Sequence, residues 1–140
     1  MSRETSAPQR VVLVAEPGGR IIAKDATVAG NWFAQLCGWI GRRDVAAEAA
    51  LGIPHCACVH TFGMCVTVDV AYCSRDGHVV RVVERLGPNR LSPRVRGAHW
   101  AWEMRSGAGD AAGLAGRIAS GDRLILRTIE RSDARSPEEH

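Results

Sequence analysis

The stretch His55–Tyr72, HCACVHTFGMCVTVDVAY, decides how this chain is read. Its second half alternates, with Val66, Val68, Val70 and Tyr72 set against Thr67, Asp69, Ala71 and Cys73. A period of two sends successive side chains to opposite faces, so the segment is a β-strand with its valines turned to a core. A slip of one residue would bury Asp69 and expose the valines, so the pattern also sets the register. The residues before the strand gather Cys56, Cys58, His60 and Cys65, and within them 60–64 has no alternation and contains Gly63. We read His60–Met64 as a bend into the strand, a natural place for an exposed binding loop.

Downstream, Ser74-Arg75-Asp76-Gly77 is a hairpin turn, because Asp-Gly accepts the positive φ that tight turns demand. His78–Leu86 is the return strand, and Gly87-Pro88-Asn89 breaks it. Ala98–Arg105 alternates again, with Ala98, Trp100, Trp102 and Met104 on one face and His99, Ala101, Glu103 and Arg105 on the other. Asp110–Arg117 reads as one helical turn, and Ser120-Gly121-Asp122 turns into a last strand, Arg123–Glu130. Upstream, Val11–Ala15 and Arg20–Lys24 flank Pro17-Gly18-Gly19 and read as a hairpin. Asn31 is a helix N-cap, and Phe33, Leu36, Cys37 and Ile40 follow at helical spacing, giving a short helix over 32–41. The Ala-rich residues 44–50 extend a helix or form a loop. Strands at this spacing predict a mainly β fold: a compact antiparallel β-barrel or sandwich with one or two short helices. Residues 11–131 form the single β-rich domain, with flexible tails at 1–10 and 132–140.

A chain of 140 residues with 46% apolar and 24% charged content is an ordinary single globular domain. Its formal charge of +3 does not argue for nucleic acid, and none is expected as a partner. No apolar run is long enough to anchor the chain in a membrane, and the polar start, MSRETSAPQR, does not read as a signal sequence. A cytoplasmic protein is therefore expected. Its five cysteines, an odd number, are expected to be free thiols.

Three constellations could carry chemistry. Cys56, Cys58 and His60 alternate on one strand face and offer thiolate and imidazole to a metal such as zinc. Free cysteines are more often small buried hydrophobes, so no metal or other cofactor is expected. His60 also lies near Cys56, Cys58 and Cys65, but no signature of a cysteine enzyme accompanies them. Asp69 and Glu103 each lie opposite an apolar strand face, and His99 shares a face with Glu103. Both acids then point outward or into a groove on the sheet's other side. There they could act as acid, base or ligand anchor. The simpler role is structural, each holding a loop through backbone N–H groups or through Arg42, Arg94 or Arg96. Trp32, Trp39, Trp100 and Trp102 are core filling before they are a ligand groove.

These pieces resemble the family known as domain of unknown function 192, a group of uncharacterised bacterial and archaeal proteins. LCGWIGR at 36–42 is similar to that family's Gly-Leu-Met-Gly-Arg element. PHCACVHTFGMCVTVDV at 54–70 resembles a subgroup with Val-His-Thr-Phe-Gly-Met and a downstream Asp. DGHVVRVVE at 76–84, RLSPRVRGAHWAWEMRSG at 90–107 and SGDRL at 120–124 complete the series. The resemblance covers about residues 30–127 and implies a compact, mostly β domain with no established catalytic residues. Cys58 departs from the small polar residue usual in the matching subgroup. The sequence thus favours a non-enzymatic module that binds a small molecule or a protein partner. His60, Phe62, Met64, Asp69, Glu103 and Arg42 are its candidate contacts. A hydrolase-like enzyme using His60 with Asp69 or Glu103 is the first alternative. A metal-binding domain on Cys56, Cys58 and His60 is the second.

Overall fold

The structure, a computed structural model, describes residues 9–29, 45–107 and 113–130. They are mainly β. Strand β1 (Gln9–Glu16) turns back into β2 (Arg20–Ala23) and also pairs along its whole length with β8 (Arg123–Glu130), giving a three-stranded sheet in the order β2-β1-β8. A five-stranded sheet contains β3 (Asp25–Val28), β4 (Ala49–Pro54), β5 (Val68–Cys73), β6 (Val79–Leu86) and β7 (Trp100–Arg105), in the order β3-β4-β7-β5-β6. One short helix, α1 (Gly113–Arg117), lies between β7 and β8 in the chain. Glu84 on β6 tethers it, its Oε1 accepting the Ala115 N–H at 2.6 Å.

The sheets meet where β6 begins. His78 bridges Arg123, the Leu124 N–H donates to Gly77 O at 2.8 Å, and the Val79 N–H donates to Asp122 O at 2.7 Å. Gly77 is required there twice over. Its φ is +91°, and a Cβ would come within 2.8 Å of the Leu124 carbonyl oxygen.

Two apolar cores lie on opposite faces of the larger sheet. Leu13, Ile22, Ala71, Cys73, Trp102, Met104, Leu114 and Leu124 fill the space between the sheets. Leu51, Ile53, Val68, Val70, Tyr72 and Ala101 face the other way, beneath a cover of loops that contributes Val45, Val59, Met64 and Val95. Strand β5 is therefore buried along its entire length. Its valines and tyrosine share one direction, and Asp69 lies in the opposite one, as the alternation requires. The other face is a second core instead of solvent.

The expected hairpins form, and the strands make two sheets with no closed barrel among the described residues. Three differences from the sequence reading follow from this layering. Not all pairs are antiparallel, since β3 runs parallel to β4. Residues 49–50 open a strand, β4, instead of extending a helix or loop. AALGIP lacks alternation because both of its sides are covered, one by each core. Strand β5 begins at Val68, and Val66 is only half-buried. The helix expected over 32–41, with Trp32, Cys37 and Trp39, lies outside the described residues, as do Arg42, residues 1–8 and the C-terminal tail. Gln9 and Arg10, expected within the flexible tail over 1–10, already pair with β8. Among the described residues no helix is long and apolar enough to cross a membrane.

Candidate functional site

Two segments far apart in sequence, the bend before β5 and the connection from β6 to β7, are joined into one structure. The Ser92 N–H donates to Val59 O at 2.9 Å, Val95 N–H to Ala57 O at 2.8 Å and Thr61 N–H to Arg90 O at 2.8 Å. His60 and Leu91 form a bridge within this ladder. Thr61 fastens it. It is fully buried, at 0% exposure. Its hydroxyl donates to Gly87 O at 2.5 Å and accepts the Arg90 N–H at 2.8 Å. Asn89, at φ +58°, turns its Oδ1 toward the Gly63 N–H at 3.1 Å. The glycine and asparagine that read as loop punctuation thus hold the two tips together.

Above this fastening the surface is apolar. The His60 and Phe62 rings stack at 5.3 Å, and His60 Nδ1 accepts the Phe62 N–H at 3.3 Å. Phe62 is 51% exposed and Leu91, opposite His60, is 64% exposed. They are the two most exposed large hydrophobic residues described. Met64 does not join them. It is buried in the core below.

Beneath the ladder lies a buried polar cluster. The hydroxyls of Tyr72 and Ser92 share a short hydrogen bond, and the Val59 N–H donates to both, at 3.1 and 3.2 Å. The Cys58 thiol donates to Ser92 O at 3.2 Å, and the Cys56 thiol donates to Cys58 O at 3.3 Å. Burial, partly offset by a hydrogen bond from the Cys58 backbone, raises the Cys56 thiol above its ordinary range. Burial raises the Tyr72 phenol likewise and pushes Cys73 up to about 12. Thiols raised in this way are less ready to form the thiolate that a nucleophile needs. Among the described residues no three His, Cys, Asp or Glu side chains are placed to hold a metal ion. Cys56, Cys58 and His60 do not converge as the metal reading required.

The two acids part company. Asp69 pairs with Met104 and lies on the side of the core between the sheets, while Glu103 pairs with Val70 and Leu51 and lies on the loop-covered side. The five-stranded sheet stands between them, so they share no groove. Asp69, 4% exposed, accepts the Arg85 N–H at 2.9 Å. Arg85 has φ +56° and sits where the β5–β6 register slips, so the carboxylate satisfies a donor that the bulge removes from the ladder. Glu103 is 3% exposed, and among the described residues no donor reaches its carboxyl. Burial alone pushes it up to about 7. Arg94 and Arg96, expected to hold these acids, are exposed and pair with neither. No hydrogen bond joins His60 to Asp69 or Glu103 among the described residues, so the acid–base pair of the hydrolase alternative is not assembled. A groove of about 380 Å³ elsewhere is lined by Ile21, Ile22, Lys24, Ala47, Glu48 and Arg117, none of them a candidate from the sequence.

Sequence reasoning missed Thr61, Ser92 and Leu91. Nothing in the chain links position 60 to position 91, since an irregular ladder between two loops leaves no period to read.

The model of the family DUF192, described as an uncharacterized ACR, matches residues 13–125. No curated protein matches the chain. Two solved structures share its fold. One is a protein of Sinorhizobium meliloti 1021, described as a candidate transcription regulator. It has a TM-score of 0.69 and 17% identity, over 89% of this chain and 98% of that one. The other is a protein of unknown function from Novosphingobium aromaticivorans DSM 12444. It has a TM-score of 0.67 and 18% identity, over 89% of this chain and 91% of that one. At these identities the likeness is one of fold.

Proposed function

This chain belongs to the DUF192 family, and we propose that it is a non-enzymatic binding module working through the tip formed by His60, Phe62 and Leu91. One observation carries the reading. Two large apolar side chains stand exposed on loops that Thr61 and Asn89 hold rigid beneath them. A surface fixed in advance loses little entropy on binding, and an exposed aromatic is a common anchor for a partner. The upshifted Cys56 and Cys73 thiols and the separated acids lend no support to an enzyme. We read residues 11–131 as one two-sheet, sandwich-like domain, working in the cytoplasm with Cys56, Cys58, Cys65 and Cys73 as free thiols.

The test replaces Phe62 with a photocrosslinking phenylalanine in the native host. A second chain carries the same group at Val28, which is exposed on β3 at the other edge of the sheet. We expect a discrete adduct from position 62, none from position 28, and loss of the adduct when Leu91→Ser is added. Equal adducts from both positions, or none from position 62, would remove the proposal.

A further inference from the structure

The loops that carry this tip contain no acid. Between Glu48 and Asp69, and again between Glu84 and Glu103, there is no Asp or Glu. The same intervals hold Arg85, Arg90, Arg94, Arg96, His55, His60 and His99. Asp69 and Glu103, at the ends of these intervals, are buried. The four arginines are exposed, and among the described residues none forms an ion pair or gives a side-chain hydrogen bond. Elsewhere Arg20 pairs with Asp122, Lys24 with Glu48 and Arg127 with Glu16. The chain's small net charge therefore hides an uneven distribution: among the described residues, the acid-free loops that carry Phe62 and Leu91 also carry exposed arginines without an ion pair.

Resting on the binding-module reading, we infer that the partner at this tip is a carboxylate-rich polypeptide segment that carries an apolar side chain. The arginines supply guanidinium groups that take carboxylates in a planar, two-pronged geometry. The Phe62–Leu91 patch supplies an apolar contact that charge alone does not explain. Single-stranded nucleic acid fits less well. Its binders present several aromatics on an open groove or sheet face. Among the described residues Phe62 is the one exposed Phe, Tyr or Trp, it already stacks on His60, and both faces of the large sheet are covered.

Fluorescence anisotropy on the full chain tests this with four labelled probes. They are a Glu/Asp peptide with central leucines, its Gln/Asn counterpart, the acidic peptide with serines for leucines, and oligo-dT. We expect saturable binding of the first, weakened by added salt, and much weaker binding of the other three. The triple variant Arg90→Glu/Arg94→Glu/Arg96→Glu should lose about tenfold or more in affinity at low salt. Leu91→Ser should weaken the leucine peptide and leave the serine peptide unchanged. These side chains are exposed, and an unshifted melting temperature checks that the variants fold. Oligo-dT binding as tightly as the acidic peptide would overturn the inference in favour of nucleic acid. Equal binding of the Gln/Asn peptide, or no peptide binding, would overturn it too. If the peptides fail while the position-62 adduct persists, the acidic partner is wrong and the module reading stands. If both fail, both are withdrawn.

Discussion

Asp69 and Glu103 look alike in the sequence, each an acid opposite an apolar strand face, and the fold treats them differently. Asp69 has a backbone donor at a bulge, which is the loop-holding role its position suggested. Glu103 has no such donor among the described residues, and its carboxyl holds a proton up to about pH 7 instead of the ordinary 4.5. Between those values the folded chain binds more protons at this site than the unfolded chain does. Stability then falls as pH rises through that window and is level on either side of it. The shift corresponds to about 3 kcal/mol, at 1.36 kcal/mol per unit. Glu103→Gln keeps the shape and removes the charge. Its melting temperature should match the wild type near about pH 4 and exceed it by roughly 10 °C near about pH 8. Thermal melts across that range decide the matter, and parallel curves for the two proteins would refute the assignment.

The strands that were legible carry a contrast between neighbouring residues. The β5–β6 hairpin showed itself through valine alternation and Asp76-Gly77, and β8 through its preceding turn. Strand β4 has no such contrast, because Ala50, Leu51, Gly52 and Ile53 are all buried. Its glycine does a packing job. Gly52 lies opposite Trp102, and a Cβ there would fall 2.6 Å from two atoms of the indole ring. That ring stacks on Trp100 at 6.1 Å and fills the core between the sheets, so it has little room to retreat. Gly52→Ala should destabilise the domain by about 1–3 kcal/mol, as overpacked core sites do. Chemical denaturation would measure it, and a midpoint equal to the wild type would show that the indole moves freely. The candidate site was legible in only one of its two loops. His60 and Phe62 stood out as a glycine-containing bend, whereas Leu91 and Ser92 sit in a run of ordinary loop residues.

At the scale of the whole molecule, the layering makes β5 the best-protected strand. It pairs on both edges, with β6 and β7, and a core covers each face. Strand β2 is an edge with Ile21 half exposed. Native-state hydrogen exchange should find the β5 amides opening only with global unfolding and the β2 amides well before it. Equal rates for the two strands would contradict the layering. The pairing of β1 with β8 has a further consequence, for the chain as it is made. Val12, Leu13, Val14 and Ala15 leave the ribosome long before their partner strand, Arg123–Glu130. The sheet's centre likewise waits for β7 to slot between β4 and β5. Until β8 is made, β1 keeps an apolar edge without its partner. The three-stranded sheet closes only when β8 emerges, and until that moment chaperones have the greatest hold on β1.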